Sequence, residues 1–154
     1  MKSLLVILIS LTTINNLYSQ NIEEQKINTL LNQWHKDAGT ANGNGYFSLL
    51  TDDAIYIGTD KTELWTKEQF MSFAKPYFNK GKAWSFTATE RNIYFSTDKK
   101  VAWFDELLDT WMGVCRASGV LEINKGEWKL KHYHLSVAVP NDNIQEVIKV
   151  IAKK

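Results

Sequence analysis

Two strand-length runs between Val114 and Val139, joined by Asn124-Lys125-Gly126-Glu127, constrain this chain more than any other stretch. A polar connection containing one glycine between two extended runs reads as a β-hairpin. The second run alternates from Trp128 onward. Regular alternation places Trp128, Leu130, His132, His134 and Ser136 on one face and Lys129, Lys131 and Tyr133 on the other. A face that begins as Trp and Leu and ends as His, His and Ser passes from apolar core into a polar pocket. The opposite face then carries Tyr133, Leu135 and Val137, an apolar patch that predicts a homodimer through the sheet.

The hairpin has partners of matching length upstream. Ala83 to Phe95 and Val101 to Leu108 read as strands, with Asp98-Lys99-Lys100 as the turn between them. Nearer the N-terminus the period changes. Ile27, Leu30, Leu31, Trp34 and Ala38 recur at helical spacing over 21–37, which leaves His35 facing solvent. The glycine-rich stretch 39–45 ends that helix, and a short second one covers 46–50. Asp53 to Gly58 alternates as a strand, and Glu63 to Trp65 is a short extended piece. Thr66 to Gln69 matches a capping box and opens a helix with Phe70, Phe73, Ala74, Tyr77 and Phe78 on one face. Pro76 falls inside that pattern and predicts a kink or a split. Pro140-Asn141 opens a last helix with Ile144, Val147, Ile148 and Ile151 on one face. Helices followed by a run of hairpin-connected strands give an α+β fold, and 154 residues suit one domain over 21–154.

The first twenty residues are expected to lie outside that domain. Lys2 precedes the apolar run Leu4 to Leu11, too short to span a bilayer, and the small polar run Asn15 to Gln20 follows. This is the form of a secretory signal peptide cut after Ser19, which predicts export to the periplasm or outside the cell. No stable membrane insertion is expected after cleavage. Cys115 is the only cysteine, so no intrachain disulfide can form, and it reads as a small buried hydrophobe. The formal charge is +1 with no basic stripe, which argues against nucleic acid as a partner.

Composition enters through the aromatics: six Trp, six Tyr and seven Phe suit a dense core or a cavity wall. The strands carry polar candidates for the same cavity. Pairing Arg116 with His134 and Ser118 with His132 brings Asp105 beside Arg116 and Trp103 beside Ser118. A slip of one residue would exchange Asp105 for Glu106. On this register Asp105, Arg116 and His134 cluster inside the cavity, His132 lies at its rim, and Tyr56, Trp65, Phe70, Tyr77 and Trp84 form its walls. A carboxylate beside a guanidinium stays ionised, and a neighbouring His can be tuned as acid or base. The same groups equally make a clamp for a polar head group, or a salt bridge that only fixes register. His132 and His134 lack a third ligand at matching spacing and face Arg116, so no metal is expected. Neither a phosphate loop nor a nucleotide fingerprint is present, so no cofactor is expected.

The order of elements, with Asp52-Asp53-Ala54 opening the first strand and Gly126-Glu127-Trp128-Lys129 followed by His134-Leu135-Ser136, resembles the nuclear transport factor 2-like superfamily. More narrowly, it is similar to the SnoaL-like domains of bacteria, over roughly Ile22 to Val139. The resemblance implies a cone: N-terminal helices packed on a strongly curved, mostly antiparallel sheet of the cystatin-like type, enclosing a cavity open at one end. It also implies dimers through the outer face of the sheet. Members include ketosteroid isomerases, polyketide cyclases, dehydratases and non-catalytic binding domains, so the fold transfers and the reaction does not. The isomerase places a carboxylate near the end of its first strand. The matching position here is Gly58, which disfavours that chemistry. Binding of a small, partly apolar molecule is therefore the favoured reading. The alternative is an acid–base enzyme of isomerase, dehydratase or cyclase type using Asp105 and His134.

Overall fold

The computed structural model describes residues 22–152, so the leader expected at 1–20 lies outside the described residues. Helix α1 spans 22–39 and buries Ile27, Leu31, Trp34 and Ala38, the stripe its spacing predicts. Helix α2 (Gly43–Ser48) follows a turn in which the Asn42 side chain accepts from the Gly45 N–H. Strand β1 (Leu50–Ile57) leads to the short β2 (Leu64–Thr66) and then to α3 (Lys67–Phe78). The capping box forms in full: the Thr66 side chain accepts from the Gln69 N–H, and the Gln69 side chain accepts from the Thr66 N–H. Pro76 does not split α3, which runs on to Phe78; it forgoes the bond its own N–H would make, but it stands in the last turn with little helix beyond it to displace.

Four long strands complete the sheet: β3 (Thr87–Phe95), β4 (Val101–Thr110), β5 (Gly113–Asn124) and β6 (Glu127–Val137). The sheet curls in the order β2-β1-β6-β5-β4-β3. All neighbours are antiparallel except β1 and β6, which are parallel. A 3-10 turn (Asn141–Asn143) and α4 (Ile144–Ile151) close the described chain, and α4 buries none of its residues. Among the described residues, no helix is long and apolar enough to cross a membrane.

The core lies between α1 to α3 and the inner face of the sheet. Trp34 stacks on Tyr46 at 4.8 Å and meets the edge of Tyr133, also at 4.8 Å. The Trp34 indole N–H donates to the Tyr46 carbonyl. Gly119 on β5 is required by close packing: a Cβ there would stand 2.6 Å from Cε1 of Phe104 and 2.8 Å from the His132 carbonyl oxygen.

Strand β6 departs from the expected alternation. Val120 pairs with His132 and Leu121 with Leu130, so Lys131 is one residue more than β5 can match. That is a β-bulge, and it inverts the phase of everything after it. Trp128 and Leu130 face inward before the bulge, and Tyr133 and Leu135 face inward after it. The expected outer patch of Tyr133, Leu135 and Val137 is thereby corrected: Tyr133 and Leu135 belong to the core, while Val137 is exposed. The strand pairing is corrected as well. Arg116 pairs with Ser136 and Ser118 with His134, two positions from the expected register. Asp105 pairs with Ser118, and Trp103 with Val120.

Candidate functional site

The residues around the β1–β2 turn enclose a cavity of about 480 Å³. Tyr56 faces inward from β1 and pairs across the ladder with Trp65. Helix α3 presents Phe70, Phe73 and Tyr77 on one face, three and four residues apart. Phe70 stacks on Tyr56 with ring centroids 3.8 Å apart, and Phe73 stacks on Trp65 at 4.5 Å. Trp84, on the segment between α3 and β3, lies 5.8 Å from Phe70 and 6.4 Å from Tyr77. These separations are those at which ring pairs attract. Phe86, Leu135 and the tip of the β4–β5 hairpin, Trp111 and Met112, complete the wall. Tyr56, Trp65, Phe70, Tyr77 and Trp84 thus line one space.

One charged side chain lines it, Glu63. The turn is closed by the Gly58 N–H donating to the Glu63 carbonyl at 2.8 Å, and the carboxylate folds back to accept from the Asp60 N–H at 3.2 Å. Oε2 occupies the place a Cβ on Gly58 would take. Gly58, the residue just after β1, carries no side chain, and the carboxylate of Glu63 is seated there instead. Burial pushes the Tyr56 hydroxyl well above its ordinary value; a hydrogen bond with Tyr46 opposes the rise, and the charge of Glu63 adds to it. A larger groove of about 740 Å³ follows α1, but it is lined by charges of both signs, among them Glu23, Lys26, Asp37, Lys99 and Lys129.

Behind the cavity lies a buried polar centre that the helical period of α1 does not announce. His35, expected to face solvent, is buried, and its Nε2 stands 3.0 Å from Oε1 of Glu106. The Tyr133 hydroxyl donates to the same oxygen at 3.1 Å. Arg91 holds the other oxygen, with Nε donating at 2.8 Å. Its Nη2 is 2.7 Å from that oxygen in an ion pair, though not in hydrogen-bond geometry. Nη1 of Arg91 donates to the side chains of Asn28 and Asn32 on α1. Burial alone would raise the Glu106 carboxyl, but the His35 hydrogen bond and charge, with Arg91, outweigh it and hold the group below its ordinary value. An ionised Glu106 only accepts, so His35 Nε2 carries the proton toward it. Both oxygens are consumed, which makes the centre a brace between α1 and the sheet. The burial of Tyr133 likewise pushes its hydroxyl well above the ordinary range, with Glu106 adding to the effect.

The remaining expected site residues stand on the outer face of the sheet. Trp103 is 46 % exposed and stacks on Tyr94 at 6.0 Å. Asp105 and Arg116 do meet, diagonally, with Arg116 Nη1 donating to Oδ1 at 3.3 Å. His134 contacts the Ser136 hydroxyl at 3.3 Å rather than Arg116. Burial, and then the charge of His134, lower the pKa of His132. None of Trp103, Asp105, Arg116, Ser118, His132 and His134 lines the aromatic cavity. The bulge is the reason, and the signal for it was present: Trp128, Leu130, Tyr133 and Leu135 share one face only if the strand carries an extra residue after Leu130.

The model of a SnoaL-like domain matches residues 27–140. No curated protein matches the sequence. A nuclear transport factor 2-like protein of unknown function from Pseudomonas putida superposes with a TM-score of 0.66 at 14 % identity, over 80 % of this chain and 92 % of that one. The association domain of C. elegans CaMKII gives 0.64 at 16 % identity, over 77 % and 98 %. A nuclear transport factor 2-like protein from Cytophaga hutchinsonii gives 0.63 at 16 %, over 75 % and 98 %. At these identities the likeness is one of fold.

Proposed function

The chain belongs to the SnoaL-like domain family, and on that footing we propose that it binds a small, partly apolar molecule in the aromatic cavity without turning it over. The observation that carries this reading is the lining itself. Eight aromatic side chains and one carboxylate face the space, with no imidazole or second acid to complete an acid–base pair. Rigid rings around a preformed cleft suit burial of an apolar body, and a single polar group fixes its orientation. Catalysis by an acid–base pair would need a second proton-transfer group aimed at the ligand beside Glu63. The carboxylate that points inward from the sheet, Glu106, is instead spent on His35, Tyr133 and Arg91.

Export and assembly belong to the same proposal. The leader-like N-terminal sequence is what supports export to the periplasm or outside the cell. The outer face of the sheet, where Tyr94 and Trp103 stack in the open, is the seam of a homodimer, and the exposed Ile144, Ile148 and Ile151 of α4 lie available to extend it. A thermal-shift screen of small aromatic and alicyclic compounds tests the binding reading, with Trp84→Ala and Arg116→Ala as comparators. Hits that stabilise wild type and Arg116→Ala but not Trp84→Ala support it. A hit consumed by wild-type protein in a turnover assay overturns it.

A further inference from the structure

Resting on that reading, we propose that the cavity is built for an organic cation: a quaternary or protonated amine carried on an apolar body. The argument begins with charge. Glu63 is the one ionisable acid among the lining residues, and no Lys, Arg or His joins it. Lys61 and Lys82 lie next in sequence to lining segments, but both are exposed and line no part of it. Among the described residues, Glu63 makes no ion pair. Its carboxylate accepts from the backbone N–H of Asp60. An anionic ligand would meet repulsion from this carboxylate with no cation to offset it, and a neutral one would use it at most as a hydrogen-bond acceptor, without its charge.

The rings make the same choice independently. Phe73, Tyr77 and Trp111 remain between 39 % and 80 % exposed, so ring surface is left for a guest at the mouth even though Phe73 stacks one face on Trp65. Trp65 and Trp84 lie just inside. Ring faces carry the negative end of the quadrupole, and several converging on one space attract a cation whose hydration is weak. An alkylammonium is such a cation: it gives up little water on entry, and a carboxylate at the rim adds long-range attraction.

The seat of the carboxylate is also built. Because residue 58 is glycine, the Glu63 side chain can fold over the end of β1 and face the cavity. A methyl group there would meet Oε2 and push the carboxylate out, and it would also stand 3.0 Å from the Cβ of Glu63, so the turn must give slightly as well. Gly58 and Glu63 therefore act as a pair, one vacating the position that the other fills.

Phenyltrimethylammonium, its neutral isostere tert-butylbenzene and the anion 4-tert-butylbenzoate test the proposal by tryptophan fluorescence titration. The cation should bind about tenfold tighter than the neutral isostere, with the anion weakest. Glu63→Gln should bring cation and neutral affinities to within a few-fold of each other. Gly58→Ala, which keeps the charge but removes its seat, should reduce the ratio in the same direction, with circular dichroism confirming that both variants fold. Equal or tighter binding of the neutral compound by wild type overturns the proposal and leaves the binding function standing. So does a ratio that Glu63→Gln does not change. Failure of all three compounds to bind folded wild type overturns the binding function together with this inference.

Discussion

His35 Nε2 stands 3.0 Å from Glu106 Oε1, although 71 residues separate them and both side chains are sealed from solvent. With Arg91 on the far oxygen, this one carboxylate ties α1 to β3, β4 and β6. Removing one partner of a buried ion pair leaves the other charge uncompensated. Glu106→Ala should therefore cost about 3–5 kcal/mol in urea unfolding, and adding Arg91→Met should recover part of that loss. A loss below about 1 kcal/mol would show that the brace is dispensable.

The same group sets a pH dependence. Its folded pKa is held below the ordinary value of 4.5, so its contribution is complete above 4.5 and is lost as pH falls through the lower folded value. Wild type should lose stability on acidification in that window. Glu23, Asp53 and Asp98 are also held low and contribute to the slope. The readout is the difference between wild type and Glu106→Gln, which should narrow below pH 4.5. A difference that stays constant with pH would refute the assignment.

Gly119→Ala would drive a methyl group between the Phe104 ring and the His132 carbonyl. Overpacking of this kind costs about 1–3 kcal/mol. Thermal unfolding should report it, whereas Gly126→Ala, with open space around it, tests strain from positive φ alone.

Assembly is checked by light scattering at tens of micromolar. The wild-type mass should be that of a dimer, and Trp103→Ser should shift it toward the monomer, since a large ring at the centre of an interface carries much of its energy. A monomeric wild-type mass would overturn the homodimer.

Mass spectrometry of protein from the native host should find the chain beginning at Gln20. An intact Met1 would remove the argument for export.

The sequence made the helices, the capping box and the order of strands legible because each is written locally, in 3.6-residue spacing, cap residues and turns. The aromatic wall was legible for the same reason, since Phe70 and Tyr77 follow a helix face, and Tyr56 and Trp65 sit on short strands beside it. What the sequence hid depended on register. One bulge after Leu130 moved His132 and His134 to the outside and Tyr133 to the inside. His35 was hidden differently. Adjacent to Trp34 on the helix, it reads as solvent-facing until a buried carboxylate from a strand far away meets it. Glu63 was hidden because its role depends on Gly58, whose missing side chain looked like a missing function.

The bulge on β6 has a consequence for how this chain can change length. Lys131 and His132 both face out, so a chain lacking Lys131 would still point Leu130 and Tyr133 inward in ordinary alternation. No inward side chain depends on the extra residue, but the local bend and twist of the strand do. A single-codon deletion in the middle of a core strand, ordinarily ruinous, would here keep the inward and outward faces of β6 in phase, at the loss of the Lys131 ion pairs to Asp53 and Glu122. In this strand, residue count sets the local bend and twist, and residue identity sets what faces the core.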